Sequence, residues 1–313
     1  MQSRDDLRHI PVLHSVDGSA SPVMQILKPR PGESVLDVTL GLGGHSEAFL
    51  EAVGPSGRLT ALDADTANLE HARTRLLPFA GRTTLVHGNF RDVGVLAKGP
   101  FDIVFADLGL SSPHLDDASR GFSFRTKAPL DMRLDRSRGK PAWELLANSD
   151  LDDIAGALRT YGEVERAGSL GIEIMKMFAD EPGRADWSTD DLKGCVERVF
   201  TYRAPKVLPQ VFQAIRIAVN DELGALTALL EAIPTLLKPR GRCAIISYHS
   251  LEDRLVKQTF RLLSMPVKDP HTGAIAKEAD FLLLTRKAVV PSDEELRHNP
   301  RSRSAKLRAI SRR

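Results

Sequence analysis

The stretch Ser34-Val-Leu-Asp-Val-Thr-Leu-Gly-Leu-Gly-Gly-His45 decides the fold. A short apolar run delivers Asp37 into a turn containing Gly41, Gly43 and Gly44. A helix-like segment, His45–Val53, follows, and then a second apolar run, Arg58-Leu-Thr-Ala-Leu-Asp63, that ends in another carboxylate. Strand, glycine loop, helix, strand and acid in this order form the layout that holds an adenosine-type cofactor. The glycines let backbone N–H groups approach the ligand. The acid after the second strand accepts hydrogen bonds from both ribose hydroxyls.

The loop chemistry selects among such cofactors. A dinucleotide fingerprint asks for a third glycine where this chain has Ser46, and a carboxylate beside the loop repels a pyrophosphate. Asp37, Gly41 and Gly43 suit S-adenosylmethionine instead, which carries a sulfonium and an amino group but no phosphate. An ordinary strand–turn–helix corner is the bland alternative.

Outward from this turn, strands are expected near Ser34–Thr39, Arg58–Leu62, Thr83–His87 and Phe101–Asp107, with amphipathic helices between them, clearest at Thr66–Leu77. Alternation of this kind predicts a parallel sheet with crossover helices. It stops after Asp107. Residues 108–140 are rich in Gly, Pro, Ser, Asp and Arg and read as a long loop. Residues 142–200 read as helical throughout. The α/β pattern then resumes with two helices over 211–237, broken near Ile233-Pro234, the turn Lys238–Gly241 and a buried strand Arg242–Ser247. Phe281–Thr285 and Ala305–Ile310 are expected to close the sheet as an antiparallel pair. The chain is thus an α/β sheet domain, 1–112 and 210–313, interrupted by a loop-rich and helical insertion, 113–209, expected to recognise the substrate.

Composition narrows the setting. Of 313 residues 42% are hydrophobic, enough for a full core. The two cysteines, Cys195 and Cys243, lie far apart with no metal-ligand spacing, which fits a reducing compartment and argues against structural zinc. The N-terminus is polar and no apolar run is long enough to span a bilayer. We therefore expect a cytoplasmic protein, a monomer or homodimer, with neither membrane nor DNA as partner and no metal. Net charge is only +2, but basic residues cluster: seven Lys/Arg and no acid lie in 297–313, and a second group runs from Arg120 to Lys140. Such clusters track a phosphate backbone, or they are merely solvated.

Three constellations carry candidate chemistry. Phe101-Asp-Ile-Val-Phe-Ala-Asp107 brings Asp107 to a strand end, where open α/β sheets bind ligands. A carboxylate there accepts hydrogen bonds from an amine undergoing methylation and stabilises the developing positive charge, the role assigned to Asp107 as catalytic residue. The long loop interleaves aromatic and basic residues, Phe122 and Phe124 to stack on bases, Arg125 and Arg133 to reach phosphates. Ser247-Tyr-His-Ser-Leu-Glu-Asp-Arg254 follows the late strand and offers Tyr248 and His249 to a substrate base. Here Ser250 or Asp253 as a helix N-cap is the bland alternative. Arg301 and Arg303 complete the candidate RNA contacts. No G-x-S-x-G elbow supports a Ser-His-Asp triad.

Seven ordered segments together resemble one family: Asp37–Ser46, Asp107–Asp116, Gly121–Arg125, Pro129–Arg133, Phe212–Leu223, Ser247–Arg254 and Asn299–Arg308. They are similar to the small-subunit ribosomal RNA methyltransferase H family of bacteria (RsmH, formerly MraW), and His9-Ile-Pro-Val-Leu13 looks like its N-terminal signature. The resemblance implies S-adenosylmethionine-dependent N4-methylation of a cytidine in 16S ribosomal RNA of the small subunit, at the decoding centre. It also implies a Rossmann-like class I methyltransferase sheet with an inserted all-helical domain. Carried over by position, the family's cofactor contacts fall on Gly44, His45, Ser46, Asp63, Phe90, Asp107 and His114. Two departures stand out: His114 replaces an expected Gln, and Lys206–Val211 replaces a His-Pro-Ala-Thr-Arg run. A methyltransferase for protein or small molecules, and a non-catalytic RNA-binding protein, are the competing readings. Intact Gly41, Gly43, Asp63 and Asp107 speak against the second of these.

Overall fold

The structure, a computed structural model, describes residues 11–13 and 21–313. His9 and Ile10 of the N-terminal signature lie outside the described residues. Two compact units divide the chain: residues 1–109 with 224–313, and residues 110–223.

The first unit is built on a sheet. In chain order it contains α1 (Pro22–Leu27), β1 (Ser34–Asp37), α2 (Gly44–Val53), β2 (Arg58–Asp63), α3 (Thr66–Arg75), β3 (Thr83–His87), α4 (Val93–Leu96) and β4 (Phe101–Asp107). The second unit contributes α5 (Ser112–Asp116), α6 (Ala142–Ala147), α7 (Leu151–Gly162), α8 (Ala167–Asp180), α9 (Thr189–Phe200) and α10 (Ala204–Asn220). The chain returns through α11 (Glu222–Leu236), β5 (Leu237–Ser247), α12 (Ser250–Leu263), β6 (Val267–Lys268), β7 (Ile275–Lys277), β8 (Phe281–Leu283), α13 (Asp293–His298) and β9 (Lys306–Arg312).

Seven strands form one sheet in the order β3-β2-β1-β4-β5-β9-β8. The five from β3 to β5 are parallel, and β9 and β8 add antiparallel edges. Parallel strands are covered on both faces, so their sequences run apolar almost continuously. Successive residues of β4 show this: Ile103 and Phe105 join a core with Phe49 and Leu50 of α2, while Val104 and Ala106 join the opposite core with Leu229 and Ile233 of α11. Phe105 is fully buried, and removing a side chain of that size from water is worth roughly 1.5–3 kcal/mol. Among the described residues no helix is long and apolar enough to cross a membrane.

The second unit has its own core, with Leu130, Ile154, Leu158, Ile174, Leu192, Val211 and Phe212 at its centre. Helix α7 shows why the local sequence folds this way. Asp150 caps it, accepting the Asp153 N–H at 2.8 Å. Ile154, Ala155 and Leu158 share one face and are buried together.

Three expectations need correction. The sequence reading set the second boundary at 210, inside α10, but α10 lies wholly in the helical unit. Its buried face, Val207, Leu208, Val211, Phe212 and Ile215, is part of that core. The break between the two helices falls at Asp221, in the left-handed conformation (φ 44°), with Pro234 carried inside α11. Asp tolerates that conformation better than most residues, and the buried face Leu229, Leu230, Ile233 and Leu236 holds α11 past its proline. The turn 238–241 does not precede the strand; it bulges from β5, which pairs Leu237 with Phe101 and resumes with Arg242 opposite Ile103.

Candidate active site

Strand order sets the site. From β1 the chain moves to β2 on one side and returns to β4 on the other, so the order reverses between β1 and β4. Ligands of open α/β sheets bind at the carboxyl ends of strands at such a reversal. Asp37, Asp63 and Asp107 are the last residues of β1, β2 and β4.

The loop after β1 needs its glycines. Gly41 (φ 52°) and Gly43 (φ 80°) adopt left-handed conformations that cost a side-chain-bearing residue free energy. A Cβ on Gly43 would press on Ala72 Cβ at 3.3 Å, whereas one on Gly41 would meet nothing within 4 Å. The turn is therefore packed behind and open in front.

The three carboxylates are held differently. Asp37 is buried; its Oδ2 accepts the Ser46 hydroxyl at 2.7 Å and its Oδ1 accepts the Thr39 N–H at 3.1 Å. Burial pushes its pKa up to about 6. Asp63 accepts the Gly41 N–H at 2.7 Å through Oδ2 and the Asp65 N–H at 2.8 Å through Oδ1. The Asn68 side-chain amide lies 3.3 Å from both oxygens, so Asp63 ties the glycine turn, β2 and the start of α3 together. Asp107 accepts the Tyr248 hydroxyl at 2.7 Å through Oδ1, and His45 Nε2 lies 3.7 Å from its Oδ2. Its backbone N–H donates to Thr39 Oγ1 at 2.6 Å, joining β4 to the loop after β1. Burial is the main cause that pushes the Asp107 pKa up to about 7, with the Tyr248 bond acting against it. Such an acidic, partly desolvated corner fits a cationic ligand and rejects a phosphate. The residues present fit S-adenosylmethionine: Gly41, Gly43, Gly44, His45 and Ser46 in the loop, Asp63 for the ribose and Asp107 for the cationic end. Phe90, in the turn after β3, is half-buried against the Leu36 side of the sheet.

The remaining sequence candidates fall elsewhere. His114, Phe122, Arg125 and Arg133 belong to the helical unit. His114 caps α5, its Nδ1 accepting the Ser111 N–H at 3.2 Å, with its ring 5.6 Å from that of Phe122. Phe122 was expected to stack on a base but is 8% exposed and part of the core. Arg133 was expected to reach phosphate but grips both oxygens of Asp131, at 2.7 and 3.0 Å, and the carbonyls of Arg136 and Gly139. Both residues shape the loop. Arg120 does the same, donating to the carbonyls of Arg133 and Leu134 at 2.9 Å. Arg125 is exposed.

Tyr248 is also corrected: its hydroxyl serves Asp107, and its ring packs on the sheet core and over Gly109. His249 is the N-cap of α12, forming a capping box with Glu252, in place of Ser250 or Asp253. Asp253 instead binds Arg308 at 2.7 Å, and Arg312 donates to the carbonyls of Pro234 and Leu237, so much of the basic terminus is structural. Arg301 and Arg303 stand exposed on the turn 300–304. The functional partners that sequence reading missed are Thr39 and the Tyr248 hydroxyl; only strand register brings them to Asp107.

The MraW methylase family matches residues 6–313 of the chain. Ribosomal RNA small subunit methyltransferase H of Thermomicrobium roseum is 42% identical over 313 residues, covering 97% of this chain and 93% of that relative. The protein of the same name from Anaeromyxobacter sp. strain K is also 42% identical, with 97% and 98% covered. That from Heliobacterium modesticaldum is 41% identical over 311 residues, with 96% and 97% covered.

Proposed function

The chain belongs to the MraW methylase family, and on that premise we propose that it methylates the exocyclic N4 amine of a cytidine in 16S ribosomal RNA, at the decoding centre of the small subunit. S-adenosylmethionine is the methyl donor, supplying when bound an electrophilic methyl group on a sulfonium. The relatives named above carry the ribosomal RNA part of this reading. The observation that carries the chemistry is Asp107, a partly buried carboxylate at the β1/β4 reversal, held by Tyr248 on one oxygen with the other beside His45.

A cytosine amine is a poor nucleophile because its lone pair is delocalised into the ring. Asp107, ionised, accepts an N–H of that amine, turning the lone pair out of the ring plane toward the methyl carbon. As nitrogen gains its bond to carbon and positive charge builds, the carboxylate stabilises it without reorganising, because Tyr248 fixes its orientation. The proton released from nitrogen passes to a carboxylate whose pKa of about 7 suits that transfer. His45, packed on Phe105 at 4.7 Å, lies against one face of the acid. On this reading the helical unit, 110–223, recognises the rRNA in the cytoplasm and offers Arg125 as an exposed phosphate contact, and the sheet unit separately exposes Arg301 and Arg303.

Mass spectrometry of 16S rRNA nucleosides, from cells with the gene, without it, and with Asp107→Asn in its place, tests this. N4-methylated cytidine should be present only in the first. Its persistence without the gene would remove the assignment.

A further inference from the structure

We propose that Glu295 is a positioning residue for the cofactor loop, latching the strap Pro11–Leu13 over the glycine turn; this rests on the reading of that turn as the S-adenosylmethionine site. Glu295 lies on α13, near the other end of the chain, and is 4% exposed. A carboxylate is rarely buried without a task. Here Oε1 accepts the Leu13 N–H at 2.6 Å. Leu13 is fully buried and left-handed (φ 55°), a conformation that a leucine keeps only when its surroundings impose it. Both of its backbone polar groups are fixed: its carbonyl accepts the Ser21 hydroxyl at 2.8 Å.

The strap ends on the cofactor loop. A Cβ on Gly44 would sit 2.3 Å from Pro11 Cγ, so the proline ring rests directly on the first residue of α2. A strained strap, held at one residue by two buried hydrogen bonds and seated on the ligand loop, sets how firmly that loop is closed. Removing the acceptor oxygen of the latch should therefore loosen the cofactor without touching the reacting atoms.

The test compares Glu295→Ala, Glu295→Gln and Ser21→Ala by S-adenosylmethionine dissociation kinetics and by hydrogen exchange of the Leu13 amide. Glu295→Ala should release the cofactor about tenfold faster and deprotect Leu13, with KM for the cofactor rising and kcat nearly constant. Glu295→Gln keeps an oxygen acceptor and should restore both. Ser21→Ala removes the other anchor and should shift dissociation the same way, which keeps the test open if Glu295→Ala does not fold. A deprotected Leu13 with wild-type dissociation, or a glutamine variant as defective as the alanine one, would overturn the latch. Wild-type protein that binds no S-adenosylmethionine would overturn the cofactor reading itself, and the latch with it.

Discussion

At the residue scale, Asp107 and its clamp separate chemistry from scaffolding. Asp107→Asn keeps the shape but not the charge, and loss of an electrostatic partner of the transition state costs about 100-fold or more in kcat. Tyr248→Phe leaves Asp107 charged but free to rotate, so kcat should fall by about tenfold, the effect of one lost hydrogen bond to a charged group. Single-turnover methylation of rRNA checks both, and an unchanged Asp107→Asn rate would remove electrostatic stabilisation from the mechanism. Asp63 carries two duties, since it accepts the Gly41 N–H as well as standing ready for the ribose. Asp63→Ala should weaken S-adenosylmethionine binding by about ten- to a hundredfold in calorimetry. Asp63→Asn, still an acceptor for one N–H, should lie between. The positions of Asp63 and Asp107 were legible in sequence because each ends an apolar strand, whereas the Tyr248 hydroxyl's partner was not. Phe122 and Arg133 were misread because aromatic–basic interleaving looks alike whether it faces RNA or folds a loop onto its own core. Only the burial of Phe122 and the Asp131 carboxylate tell them apart.

At the scale of elements, strand position was readable and connection geometry was not. Continuous apolar runs bounded by glycine and acid mark parallel strands wherever both faces are covered. The left-handed stop at Asp221 and the continuation of α11 through Pro234 depend on tertiary packing, which local propensity does not see. The long loop is pinned by Asn220, whose side-chain amide donates to the Met132 carbonyl while its Oδ1 accepts the Leu134 N–H, both at 2.8 Å. Asn220→Ala would strand both backbone groups, at about 1–3 kcal/mol for a buried unmet partner. Hydrogen exchange should rise over residues 130–136 while the sheet strands stay protected. Uniform protection in the variant would show that the Arg120 and Arg133 contacts order the loop without Asn220.

At the scale of the whole molecule, buried acids couple stability to pH and to the cofactor. Asp37 and Asp107 are raised from 3.8 to about 6 and about 7, mainly by burial. A folded state that holds protons more tightly than the unfolded chain gains from them at low pH. Their contribution is full below about pH 4 and is lost as pH climbs through 6 and 7. The opposite holds for Asp102, Asp131, Asp191 and Asp253, held below the usual range by Lys238, Arg133, Ser188 and Arg308. Their contribution is present above that range and lost as pH falls below it. From Asp37 and Asp107, the stability of the cofactor-free protein should fall as pH rises through 6 and 7, which thermal melts across that range check. S-adenosylmethionine, being cationic, binds the ionised form of Asp107, so its affinity should rise between pH 6 and pH 8 and level off above. The melting-temperature gain on adding a fixed S-adenosylmethionine concentration should therefore be larger at pH 8 than at pH 6. Asp107→Asn cannot titrate there, so the variant should lose most of that difference, retaining only the part due to Asp37. If wild type and variant gained equally at both pH values, Asp107 would not be the group that meets the cation.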